Sequence, residues 1–432
     1  MPSALALGLL LPLLAAAQTP QGAKRLIEIV RTTGIGNAPR IDYSPRPLED
    51  VSPADRPPAA AVSGYVRVFG SAAQNSRTPG SPKSGQWHVR WEAPVASSSS
   101  AVLLAGNRVL AQRSGGWTLF DREGKPIKEG ISGGAAITLD PKAGLFYSLG
   151  NGNFLQAIGL EDGELRFSIP LGYNEFFAWP VFHPWEKGII AAGVERPMIS
   201  PKTRPPTRSL FQVIAIGSPL KLSPYKLLLS IDMKQDLLFK EPKMIPVASG
   251  DILWAVLPDL IIRTSPAQNV DGAWSGSFQA VSASADEAGW LHLLVVTSEG
   301  ANTNRELWIV PPDGRRAMRA TVPAYYAESK VPPAIGYDRK VYLRSGRSVA
   351  AFSPHGNLLW ETQAGGSIAG LSVTPDGRVV AAVGKDLLAF DEKGNTTHLA
   401  TLPAPATTNP VITADGDILV GTETAVLCLA PR

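Results

Sequence analysis

One turn recurs eight times in the 432-residue sequence, and its spacing constrains the fold more than any other feature. LLAGNRVLA, TLDPKAGLFYS, VFHPWEKGIIA, PVASGDILWA, SADEAGWLHLL, AIGYDRKVYL, VTPDGRVVA and ITADGDILV each join two short apolar runs through a turn containing Gly or Asp. Anchored at Gly106, Gly144, Gly188, Gly250, Gly289, Asp338, Gly377 and Gly416, the copies step by 38, 44, 62, 39, 49, 39 and 39 residues. No long helical period interrupts them. A four-stranded sheet cannot bury both of its faces alone, so units of about 40–50 residues pack face to face around an axis. The fold expected from this period is all-β: an eight-bladed β-propeller of four-stranded antiparallel blades spanning residues 85–432.

A second turn fits between the copies of the first. AFDEKGNTTH (389–398) reads as strand C, a tight turn closed by glycine, and strand D, and the same grammar occurs in AFSPHGNLLW, LFDREGKPIK and AIGLEDGELRF. After AVLCLAPR no chain remains for a D strand in the eighth blade. GQWHVRWEA (85–93) alternates like a strand and precedes the first blade, so it is expected to supply that D strand and close the ring. Strict alternation would place Trp87, Val89 and Trp91 on one side and His88, Arg90 and Glu92 on the other.

AIGLEDGELRF and AFSPHGNLLW resemble the PQQ-type propeller repeat, roughly apolar-Ala-x-Asp-x-x-x-Gly-x-x-x-Trp. The resemblance covers residues 86–432 in period and single motifs in some blades. In that family the closing Trp docks on a neighbouring blade, and Trp360 matches its position. Phe167, His398 and Lys128 stand where that Trp would be, and Ser353 and Gly159 where the Asp would be. The family divides into quinone-dependent dehydrogenases and non-catalytic scaffolds such as the propeller of the outer-membrane assembly machinery. The enzymes hold PQQ between a Trp floor and a lid of adjacent cysteines, with calcium ligated by Glu, Asn and Asp. Cys428 is the only cysteine here, so no paired-cysteine lid can form. The resemblance therefore implies the non-catalytic branch, with no cofactor.

Residues 1–17, MPSALALGLLLPLLAAA, are apolar and end in Ala15-Ala16-Ala17 before Gln18, the pattern of a cleaved signal peptide. The run is short for a membrane span and Pro12 interrupts it. A periplasmic or secreted protein is expected, with no lipid-anchoring cysteine near the signal and no intramolecular disulfide. Residues 18–84, rich in Pro, Ala, Ser and Arg, read as an extended linker or tail. There are 41 Lys and Arg against 37 Asp and Glu, a net charge of +4 without a basic stripe, which gives no footprint for nucleic acid.

No local catalytic or metal motif emerges. The five histidines, His88, His183, His292, His355 and His398, lie far apart, and the pairs Asp415/Asp417 and Asp286/Glu287 fall in A-to-B turns, where Asp caps backbone amides. Loops are more informative. ERPMISPKTRPPTR (195–208) and TSEGANTNRE (297–306) read as long B-to-C insertions, and GYNEFFAWP (172–180) and AYYAESKVPP (324–333) as aromatic D-to-A connections on the same face. Tyr173, Phe177, Trp179, Arg204, Tyr325 and Tyr326 are therefore the candidate contacts for a protein or extracellular polymer. In an extended segment Tyr325 and Tyr326 cannot both point inward, so one is expected at the surface. The leading reading is a non-catalytic binding scaffold. Its competitors are an enzyme acting on a carbohydrate or other small substrate in the axial funnel, and a divergent PQQ-dependent dehydrogenase.

Overall fold

The computed structural model describes residues 64–65, 76–132, 137–150, 154–170, 175–185, 188–197, 209–217, 226–233, 245–249, 252–257, 260–264, 270–275, 278–299, 302–312, 317–328 and 331–432. Among these residues the strands form eight antiparallel sheets, and the only helix is the single turn Ala324–Glu328. All eight recurring turns join the first strand of a sheet to the second. The sixth sheet is typical: Ala334–Ile335, Val341–Arg344, Ser348–Phe352 and Leu358–Gln363 follow one another in space as in sequence. The signal segment 1–17 lies outside the described residues.

First strands of neighbouring sheets touch one another, as Ser99–Ala105 touches both Thr138–Asp140 and Val411–Ile412, and Ala334–Ile335 touches both Phe278–Ala285 and Ile368–Val373. These strands are therefore innermost. Apolar clusters fill the gaps between sheets. One cluster joins the eighth, first and second sheets through Cys428, Leu419, Leu103 and Phe146, and others join the fifth to the sixth and the seventh to the eighth.

The expected closure is present. Trp87–Pro94 pairs with Ala425–Pro431 as the fourth strand of the eighth sheet, and the Arg432 amide donates to Gln86 O at 2.7 Å, so the two chain segments meet where other blades have a C-to-D turn. The expected alternation is not present. The register slips between Val89 and Trp91, and this bulge at Arg90 inverts the parity of every later residue. Trp87 consequently packs into the cluster shared with the seventh sheet, and Trp91 into the cluster shared with the first.

The same bulge recurs in other outer strands, and it aims one side chain at the next blade. Trp360, just past the bulge of the sixth sheet, stacks on Phe390 with centroids 6.2 Å apart and lies over Gly394 of the seventh sheet's C-to-D turn. Trp91 covers Gly124 of the first sheet in the same way, its Nε1 donating to Arg122 O at 2.9 Å. Lys128, where a Trp was expected, lays its stem over Gly163 of the second sheet and pairs with Glu164 at 2.5 Å. Docking is thus kept while the docking residue changes.

The linker reading of 18–84 needs correction at its end. Gly64–Tyr65 pairs with Ala105 and Leu104 as an extra inner strand of the first sheet. Ser76, Arg77 and Thr78 are buried, and Arg77 bridges Val373 at the end of the seventh sheet's inner strand. The chain then passes over the eighth sheet, where Gly80 N donates to Ile412 O at 3.3 Å. A Cβ on Gly80 would fall 1.8 Å from Thr413 O, so only glycine permits this approach. Proline-rich composition hides a segment whose backbone is ordered by carbonyls of the sheets rather than by burial of its own apolar side chains.

Candidate functional site

The connection between the fifth and sixth sheets begins with Val322-Pro323 and continues as Ala324–Glu328, a single helical turn. Proline before a run with good helix formers presets the first turn, and Tyr326 N donates to Pro323 O at 3.1 Å. Successive helical side chains diverge by about 100°, so the adjacent tyrosines separate. Tyr326 is fully buried among Leu294, Leu307 and Phe352, whereas Tyr325 is 43% exposed. The expected split between one buried and one surface tyrosine is present, but a helical turn produces it, not an extended chain.

Glu361, on the outer strand Leu358–Gln363, fixes both rings. Its Oε1 accepts from Tyr325 Oη at 2.6 Å and from Tyr326 Oη at 2.9 Å. The ring centroids stand 4.7 Å apart at 50°. The Glu361 hydrogen bond, then partial burial and the carboxylate charge, push the Tyr325 phenol up to about 12. Tyr326 is raised as well, first by burial and then by Glu361. Both hydroxyls therefore stay protonated, and the exposed face of Tyr325 is presented in one orientation.

Tyr173 and Arg204 lie outside the described residues. Phe177 and Trp179 belong to the strand Glu175–Trp185 and not to a loop: Phe177 pairs with Glu195, and the register slips between Ala178 and Val181. Pro180 sits at this slip, where its missing amide interrupts no ladder bond. The segment 297–306 is also strand rather than insertion. Leu291–Glu299 and Asn302–Val310 stay paired out to Glu299 and Asn302, because Thr, Ser and Asn extend the ladder beyond the apolar stretch.

The opposite face carries a feature that sequence reasoning missed. The segment 76–83 straps across the A-to-B turns of four sheets, and Arg77, with no exposed surface, is its anchor. Nε donates to Ile335 O at 2.8 Å and Nη2 to Gly336 O at 2.6 Å, while Nη1 pairs with Glu287 of the fifth sheet's turn. The guanidinium lies 4.8 Å from the Tyr337 ring centroid, and Tyr337 Oη donates to Thr78 O at 2.7 Å. Farther along, Arg378 Nη2 donates to Pro82 O at 2.7 Å. Beside Arg77 the sixth A-to-B turn departs from the others. Arg339 takes the left-handed conformation, φ 65°, that glycine takes at Gly289, Gly377 and Gly416. Such a residue costs about 1 kcal/mol or more, and its ion pair with fully buried Asp286 holds it there. Asp286 also caps its turn, accepting from Ala288 N and Trp290 N at 2.9 and 3.0 Å, as the turn chemistry predicts.

No family model matches the sequence, and no curated protein matches it. Solved structures do share its shape. Quinohemoprotein alcohol dehydrogenase from Comamonas testosteroni superposes with a TM-score of 0.55 at 10% identity, over 88% of this chain and 82% of that one. The fold is a β-propeller. The computationally designed Ika8 protein superposes with a TM-score of 0.52, also at 10% identity, over 79% of this chain and 99% of that one. Both likenesses are of fold alone. A PQQ-type propeller raises the question of a thiol lid and of metal-ligating side chains. The one cysteine is buried inside the eighth sheet, and among the described residues no three His, Cys, Asp or Glu side chains are grouped to hold a metal ion. Among them, too, no helix is long and apolar enough to cross a membrane.

Proposed function

We propose that the chain is a non-catalytic binding propeller, exported to the periplasm or beyond, which engages a protein or polymer through the face carrying its B-to-C and D-to-A connections. The observation that carries this reading is the division of labour between the two ends of the ring. At the A-to-B end the chain's own strap crosses the turns of the fifth to eighth sheets, with Arg77 donating to the fifth and sixth. The other end presents Tyr325, an aromatic ring locked by Glu361 and already partly desolvated, which is the type of side chain that supplies contact energy at low entropic cost.

A photo-crosslinking residue placed at Tyr325, and in a parallel protein at Lys142 of the second A-to-B turn, tests the assignment in the exported fraction of the native host. Adducts from position 325 and none from Lys142 are expected. Adducts from Lys142 alone would place the partner on the strapped end and refute the reading.

A further inference from the structure

A cleft of about 230 Å³ opens between the eighth and first sheets at the strapped end, with Pro79 of the strap as one wall. Its volume is below the roughly 300 Å³ at which drug-sized sites begin, so it suits a metabolite of a few heavy atoms. Its floor is apolar: Leu104, Val109, Leu419 and Cys428 line it, each 6% exposed or less. Two charged side chains stand at the rim. Arg122 of the first sheet pairs with Asp415 of the eighth, and these side chains are 45% and 56% exposed, so the pair is hydrated and can exchange partners. Below it stands Asp417, whose side chain is only 9% exposed. Asp417 Oδ2 accepts from Arg90 at 2.7 Å, and no donor among the described residues reaches Oδ1. Neither aspartate caps its turn through its carboxylate, contrary to the sequence expectation for this pair.

We propose that this cleft binds a small zwitterion with an apolar side chain, of which an α-amino acid is the simplest example. The ligand's carboxylate replaces Asp415 on Arg122, its ammonium bridges Asp415 and Asp417 Oδ1, and its side chain covers Leu104, Val109, Leu419 and Cys428. Each charge of the ligand meets an opposite charge already in place, and a hydrated ion pair is opened rather than a buried one. The site is separate from the Tyr325 face, so its fate does not depend on that of the proposed partner surface.

Cys428 is the only thiol in the chain and lies on the floor, which makes it a built-in reporter. Burial first, and the Asp417 charge second, push its thiol up to about 12 against a partial offset by Arg90 and Arg122, so alkylation is slow and limited by access. The experiment follows alkylation of Cys428 in the full chain by intact mass, with L-leucine, 4-methylpentanoate, which lacks the ammonium, and isoamylamine, which lacks the carboxylate. Titration calorimetry is run with the same three compounds. Leucine is expected to bind and to slow alkylation, with each truncated compound at least about tenfold weaker because it leaves one charge unpaired. Arg122→Gln and Asp415→Asn, both at exposed positions, should bring leucine down to the level of the corresponding truncated compound while leaving the melting temperature unchanged. Equal protection by all three compounds would reduce the cleft to an apolar hole and overturn the proposal. So would binding of isoamylamine as tight as that of leucine, or the absence of leucine binding by both methods.

Discussion

Replacing Arg77 with Ala removes the anchor of the strap, and the structure sets the size of the effect. Two of its hydrogen bonds go to buried backbone carbonyls, and hydrogen bonds to charged groups contribute about 1.5–3 kcal/mol each. Glu287 is 29% exposed and rehydrates once it is released, so the ion pair itself adds only about 0.5–1 kcal/mol. The expected loss is therefore ~4 kcal/mol, within the range for removing one partner of a buried pair. For a domain larger than those in which 1 kcal/mol shifts Tm by ~2–4 °C, this corresponds to roughly 5 °C. Arg77→Lys keeps the charge but not the planar fork that serves three acceptors at once, and should recover less than half of the loss. A chain beginning at Ser76 keeps the strap and should fall less than one beginning at Ser81, which should fall at least as far as Arg77→Ala. Differential scanning calorimetry with urea titration provides the measurement, and Arg166→Ala, which breaks an exposed pair with Asp162, is the control expected to change little. An Arg77→Ala protein as stable as that control would show that the strap is merely laid on the surface.

Three further outcomes follow from the same contacts. Partial burial pushes Asp376 up, but hydrogen bonds from Arg378, Thr374 and Ser81 outweigh it and hold the carboxyl below the usual range; its contribution is thus present above the unfolded value near pH 4 and lost as pH falls through the folded value, so urea titrations across that window should show Asp376→Asn with a shallower acid limb than the native chain. Tyr325 and Tyr326 are raised in the folded state, so their contribution is present below about pH 10 and lost as pH rises through the folded values; Glu361→Gln should move the phenolate absorbance at 295 nm, a roughly standard probe wavelength, to lower pH. A Cβ at Gly394 would lie 2.8 Å from the Trp360 ring with φ at +82°, whereas one at Gly377, φ +80°, meets nothing; thermal melts should therefore show Gly394→Ala costing about 1–3 kcal/mol more than Gly377→Ala, and Trp360→Ala should abolish most of that difference.

The period of the turns made the architecture legible, because a hairpin that needs Gly or Asp at a fixed offset leaves its mark however much the strands drift. The strand pairing of 85–94 with the C-terminal segment was legible for the same reason, as an alternating strand lacking a partner beside a sheet lacking a strand. Side-chain direction in that strand was not. A bulge inserts a residue without altering composition, and the parity of Trp91 depends on it. Tyr325 and Tyr326 could be singled out, but Glu361, which fixes both, lies in the following blade and has no local signature. Arg77 was hidden for the same reason, since every one of its acceptors is more than 200 residues away in sequence. The one visible hint was the sixth A-to-B turn, where Arg339 stands in place of glycine: a broken turn rule marked the place where the strap attaches.

The docking residues also explain why the repeat motif is degenerate without the ring being disordered. If every blade ended in Trp over Gly, each outer strand would fit each neighbour, and neighbouring blades could exchange places at little cost. Instead Trp91 fits Gly124 beside the Arg122 carbonyl, Lys128 fits Gly163 only where Glu164 receives its ammonium, and Trp360 fits Gly394 beside Phe390. A tryptophan facing the wrong turn would meet no stacking partner, so a mismatch loses packing that the match keeps. His398 of the seventh sheet follows the same logic. The blade it faces has no C-to-D turn, only the meeting of Gln86 with Arg432, and the imidazole turns instead to Asp386 and Thr401, each at 3.1 Å. Loss of the consensus Trp in that blade is thus a consequence of where the ring is closed.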